Sequence, residues 1–104
     1  MIEPDIFRAL GDPTRRAVLD RLSTGERSVT ELRAGLPISQ PAVSQHLAAL
    51  KEAGLVSGRR DGRSVYYRVA PRGMKPLIDW IAHYRVFWTE HVARLEQLLE
   101  RMDG

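Results

Sequence analysis

Ser44 and Gln45, with Gln40 one turn earlier, carry hydrogen-bonding side chains at helical spacing inside Ser39–Leu55, SQPAVSQHLAALKEAGL. On a helix, Ser44 and Gln45 share a side with Pro41, Ala48 and Glu52. Val43, Leu47, Leu50 and the closing Gly54 fall within about a quarter turn of one another on the opposite side. Gln pairs with adenine and Ser serves either base type, so this face can read base edges in a DNA major groove. Its small neighbours let the helix backbone approach closely. The competing reading is an ordinary amphipathic surface helix, with Gln40 merely solvated in its first turn.

A second group can bind phosphate. Residues 59–72 hold Arg59, Arg60, Arg63, Arg68 and Arg72 against Asp61 alone, whereas Ser28–Ala53 balances Arg33 and Lys51 against Glu31 and Glu52. Positive charge is thus concentrated beside the reading helix, where phosphates would flank a groove-bound element. Arg59, Arg60 and Arg63 are expected to contact the backbone or enter a minor groove. Thr30 and Ser39, near helix N-termini, and Lys51 are further phosphate candidates. An exposed hairpin tip can also be charged merely to stay in solution. His46 lies about 60° from the buried stripe and is either a phosphate donor or a packed, partly buried histidine.

Other chemistries find little support. The 104 residues contain no cysteine, which excludes disulfides and thiolate metal sites. There is no G-x-S-x-G, no phosphate-cradling glycine loop and no paired ligand motif, so neither catalysis nor a cofactor is expected. No apolar run approaches the ~18 residues of a membrane span, and the N-terminus lacks a secretory pattern. A cytoplasmic chain is expected. A net charge of +3 and a pI near 9.8 are compatible with nucleic acid. The length sets one domain, 1–104, and an apolar fraction of 43% is thin for a monomer this small.

The elements that position these residues are legible in order. Pro4–Leu10 has Ile6, Phe7 and Leu10 at helical spacing and stops at Gly11. Asp12-Pro13 restarts the chain as an N-cap and first helical position, with Val18, Leu19 and Leu22 inward and Arg15, Arg16 and Arg21 outward. Ser28-Val-Thr-Glu31 is a capping-box pattern, and Gly35 and Pro37 close the helix that it opens. This short helix and the Ser39 helix form a helix-turn-helix over residues 28–54. The period then turns to two. Leu55–Arg60 and Ser64–Val69 read as a hairpin over 55–70, with Asp61-Gly62 as its turn. Val65, Tyr67 and Val69 share one face; Tyr66 lies on the other. One tyrosine belongs to the core and one faces outward to phosphate, and the pattern leaves open which.

A long helix follows, about 42 Å over Met74–Met102, within a domain whose radius of gyration should be only ~13 Å. Ile81, Tyr84, Trp88, His91, Leu95, Leu98 and Met102 form a coiled-coil-like seam along it. Such a seam needs a partner, and a second copy of the chain is the simplest one. The fold class is mainly α with a small β-hairpin, a winged helix-turn-helix with a long C-terminal helix.

Ala9-Leu-Gly-Asp-Pro-Thr-Arg15, Leu32–Ser39, Val43–Leu50, Ala53–Val56 and Gly62–Tyr67, in that order, resemble the ArsR/SmtB winged-helix repressors. The resemblance implies a homodimer that binds an inverted-repeat operator on double-stranded DNA and represses transcription. It also implies an interface built from the first and last helices, 1–11 and 73–102. Ile6, Phe7, Ile81, Tyr84, Trp88, His91 and Leu95 are the expected interface residues. The family's metal sites do not carry over. Its thiolate site needs a cysteine pair where Ser28–Leu36 supplies Leu32 and Arg33, and its last-helix site, counted from Asp79, meets Ile81, Val92 and Leu95. No metal is therefore expected, and the inducer stays unassigned. Two alternatives remain open: a metal sensor using an unorthodox Asp79, His83 and His91 set, and a winged-helix module that binds protein instead of DNA.

Overall fold

The computed structural model describes residues 4–103. Five helices and three strands follow in the order α1 (Pro4–Leu10), α2 (Pro13–Leu22), β1 (Arg27–Ser28), α3 (Val29–Arg33), α4 (Gln40–Glu52), β2 (Val56–Asp61), β3 (Ser64–Val69) and α5 (Pro71–Asp103). The fold is a winged helix-turn-helix, mostly helical, with a small antiparallel sheet in the order β1-β3-β2. Among the described residues no helix is long and apolar enough to cross a membrane.

Local chemistry sets most of these boundaries. Asp12 Oδ1 accepts from the Thr14 and Arg15 amides at 2.8 and 3.2 Å, and Pro13 occupies the first turn of α2. Those two hydrogen bonds, the Arg15 amide's foremost, hold the Asp12 carboxyl below its ordinary range. Ser28 and Glu31 close a reciprocal capping box on α3, Ser28 Oγ accepting at 3.2 Å and Glu31 Oε1 accepting at 3.0 Å.

Of the arginines expected to point outward from α2, Arg16 is exposed, whereas Arg15 and Arg21 are half-buried. Arg15 and Arg16 donate to the Ala9 and Leu10 carbonyls, at 3.3 and 2.7 Å, satisfying the open end of α1. Arg21 donates to the Glu31 carbonyl in the middle of the short helix α3. Its guanidinium occupies the space beside Gly35, in the turn between α3 and α4, where a side chain would stand. The positive charge that the sequence assigned to solvent goes to carbonyls left over at helix ends.

One core gathers Val18, Leu22, Leu32, Val43, Leu47, Leu50, Leu55 and Val56, with Ile6 and Ala9 from α1. Ile6, expected at a dimer interface, is only 3% exposed and faces this core; α1 packs on α2, and that leaves Phe7 as its outward aromatic residue, 43% exposed. The strand β1 has no signature of its own, because two residues are too short for a period. It exists because Arg27 and Ser28 pair with Tyr67 and Tyr66. The hairpin turn also lies one residue later than expected. Asp61 pairs with Ser64, so the loop is Gly62-Arg63, with positive φ (63°) at Gly62 alone. A two-residue loop with glycine first puts the one left-handed position where no Cβ resists it.

The last helix starts at Pro71 rather than Met74, since the Met74 amide already donates to the Ala70 carbonyl at 3.0 Å. It contains Pro76 and runs 33 residues, about 50 Å. The chain measures 61 × 31 × 22 Å with a radius of gyration of 17.6 Å, well above the ~13 Å of a compact domain this size. Near its start, Gly73 lies against the Gly54 backbone so closely that a Cβ would overlap the Gly54 carbonyl. Trp80 packs on the core and meets the Phe7 ring edge-on at 5.2 Å. Beyond it Ile81, Tyr84, Trp88, Leu95, Leu98 and Met102 are all exposed.

Candidate nucleic-acid interface

The helix α4 is fixed at both ends by its own sequence. Ser39 Oγ accepts from the Ala42 amide at 3.3 Å, and Pro41 sits in the first turn. At the other end the Leu55 amide donates to the Leu50 carbonyl and the Gly54 amide to the Lys51 carbonyl, both at 2.9 Å. Gly54 takes φ 81°, so the pair forms a Schellman motif whose apolar contact is Leu50 against Leu55, both fully buried. With Val43, Leu47 and Leu50 inward, the rotation of α4 is determined. Gln40, Pro41, Ser44, Gln45 and Ala48 are exposed on the outer side, and Lys51 is exposed in its last turn. Thr30 and Ser39 are exposed at the starts of α3 and α4.

His46 is half-buried. Its Nδ1 is sealed from solvent and has no hydrogen-bond partner, while its ring lies near enough to the Asp12 carboxylate to favour the charged form of that acid.

The ladder between β2 and β3 settles the tyrosines. Gly58 pairs with Tyr67, and the Tyr67 ring lies over it, where a Cβ would come within 3.1 Å of the ring; Tyr67 also packs on the core. Tyr66 pairs with Arg59 on the opposite face of the sheet, its ring centroid 5.2 Å from the guanidinium carbon. Tyr66 is therefore the outward tyrosine.

The three wing arginines have unequal freedom. Arg60 and Arg63 are exposed and make no ion pair among the described residues. Arg59 is bound to Glu26 by three hydrogen bonds of 2.6, 2.9 and 3.1 Å and lies 3.6 Å from Asp61. That bonding holds the Glu26 carboxyl below its ordinary range and raises the Arg59 guanidinium still further above neutrality. Glu26 is the participant that sequence reasoning missed. It stands 33 residues from Arg59, and no local pattern links the two.

Along α5, Asp79 is engaged by Lys75 at 2.7 Å, His83 lies edge-on to Tyr84 and His91 to Phe87. Among the described residues no three His, Asp or Glu side chains come together as a metal-binding set.

The sequence profile of bacterial regulatory proteins of the arsR family matches residues 12–57. An HTH-type transcriptional regulator of Mycobacterium tuberculosis, Rv2034, is 42% identical over 94 residues, covering 90% of this chain and 85% of its own. The transcriptional repressor SdpR of Bacillus subtilis is 34% identical over 80 residues, 77% of this chain and 89% of its own. Among solved structures, the crystal structure of a possible transcriptional regulator for arsenical resistance superposes with a TM-score of 0.73 at 42% identity, covering 89% of this chain and 94% of that one.

Proposed function

The chain belongs to the arsR family of bacterial regulatory proteins and is a DNA-binding transcriptional regulator, a non-enzymatic role, and from that premise we propose that it acts in the cytoplasm as a homodimeric repressor on an inverted-repeat operator. The observation that carries this reading is α4. Its aliphatic stripe is sealed in the core, so the short side chains Ser44 and Gln45 stand outward beside a wing whose Arg60 and Arg63 are free. Gln40, Ser44 and Gln45 take base edges, and Thr30, Ser39, Lys51, Arg60 and Arg63 take phosphates. His46 donates to phosphate. The dimer forms through Phe7 and the exposed seam of α5, with Ile81, Tyr84, Trp88, His91 and Leu95 in the contact. Two copies then place two α4 helices on successive major-groove half-sites.

The test is a salt titration on the duplex upstream of the coding sequence and on a scrambled duplex. Arg63→Ala weakens both duplexes alike and lowers the slope of log K against log salt by about one per protomer. Gln45→Ala leaves that slope alone and reduces discrimination by about 1–3 kcal/mol per base pair read. Equal loss on both duplexes for Gln45→Ala would remove it from base reading.

A further inference from the structure

We infer that Arg59 is a positioning residue for the wing, held by Glu26 across the outer face of the sheet, and does not itself contact DNA. Glu26 directly precedes β1, and Arg59 lies in β2; β3 runs between them. The two residues are thus two strand spacings apart, roughly 10 Å, and their side chains bridge that gap over β3. All three guanidinium nitrogens are engaged. Nε and Nη2 donate to the Glu26 carboxylate, Nη1 faces Asp61, and the plane rests against the Tyr66 ring. Exposed ion pairs usually contribute little, but a bidentate guanidinium within a network of charges is the exception, because the fork geometry is already set.

Mechanically, β1 is only two residues long and holds β3 through two pairs. Beyond those pairs, the hairpin meets the helical body through Val56, Tyr67 and Val69 on the core. The Glu26–Arg59 strap ties the middle of β2 to the turn that leads into α3, so the wing angle follows the helix-turn-helix. Electrostatically, Glu26 balances the Arg59 charge, with Asp61 a further negative group beside it. The cations left for DNA on this hairpin are Arg60, Arg63 and Arg68, the last of them 3.5 Å from Ser57.

This inference rests on the proposal that the wing meets DNA, and one arm of its test does not need DNA. Glu26→Ala, Arg59→Ala and the double variant are compared with wild type by amide hydrogen exchange over residues 56–69 and by salt-titrated binding to the upstream duplex. Each single variant should speed exchange in β2 and β3 and weaken binding by about three- to tenfold with the salt slope unchanged, and the double should be no worse than either. Glu26→Gln, which still accepts hydrogen bonds, should lie between wild type and Glu26→Ala. A direct phosphate role makes the opposite forecast: Glu26→Ala releases a cation and binds more tightly, and Arg59→Ala lowers the slope by about one. Either of those results, or unchanged exchange in both single variants, overturns the strap. If the wild-type chain binds no duplex, the reading of the wing as a DNA element fails, and hydrogen exchange still decides whether the strap orders the hairpin.

Discussion

Leu47 and Leu98 are the same residue on two helices of one chain, and their surroundings are opposite. Leu47 is 1% exposed, enclosed by the second, third and fourth helices and the hairpin base; Leu98 is 52% exposed on a helix that has left the body behind. The contrast extends to whole regions. Residues 5–70 close a core in which ten apolar side chains are nearly invisible to water, whereas α5 from Ile81 onward carries an apolar seam that none of the described residues covers. The seam's period matches a partner helix and not a second face of the body. In the proposed function the body is the DNA-reading part, and the arm is half of an interface.

The largest expected effect separates the two leucines directly. Leu47→Ala should cost about 2–5 kcal/mol of stability through the cavity it leaves. Leu98→Ala should cost almost nothing under dilution that keeps the chain monomeric. Denaturant unfolding of both variants checks this, and equal losses would mean that α5 packs on the body in solution. Next comes Trp88→Glu, which should convert the proposed dimer largely to monomer in sedimentation while the body keeps its unfolding midpoint, since a charge would be buried without a partner. A dimer of unchanged strength would move the interface away from α5. The smallest effect is acid sensitivity. Asp12, Glu26 and Glu31 are held below the ordinary carboxylate range, by the Arg15 amide, the Arg59 side chain and the Ser28 amide respectively. Groups with depressed values in the folded chain add stability that is complete above their unfolded values and disappears as pH falls through the folded ones, below about pH 4. All three lie in the body. Mild acid should therefore lower the body's thermal midpoint before it dissociates α5 contacts, and dissociation at a higher pH would reverse that order.

Short-range chemistry was legible from the chain alone. The Ser28–Glu31 capping box, the Asp12-Pro13 start, the Ser39 cap and the Gly54 stop each involve groups within a few residues, so composition and spacing fix them. The stripe of Val43, Leu47 and Leu50 fixed which side of α4 faces outward, and with it the candidate base-reading residues. The arsR-type character of the chain was readable for the same reason, since its motifs are runs of adjacent residues.

Only the tertiary structure decided what distant residues do to one another. Arg27 and Ser28 become a strand because β3 arrives beside them, and Ile6 turns inward because α2 takes that side of α1. Arg15, Arg16 and Arg21 look like solvated charge until helix ends are placed within their reach. Arg59 looks like its neighbours Arg60 and Arg63 until Glu26 is brought across the sheet. A hydrogen bond depends on position to within a few tenths of an ångström, and across 33 residues only the packed core supplies that precision.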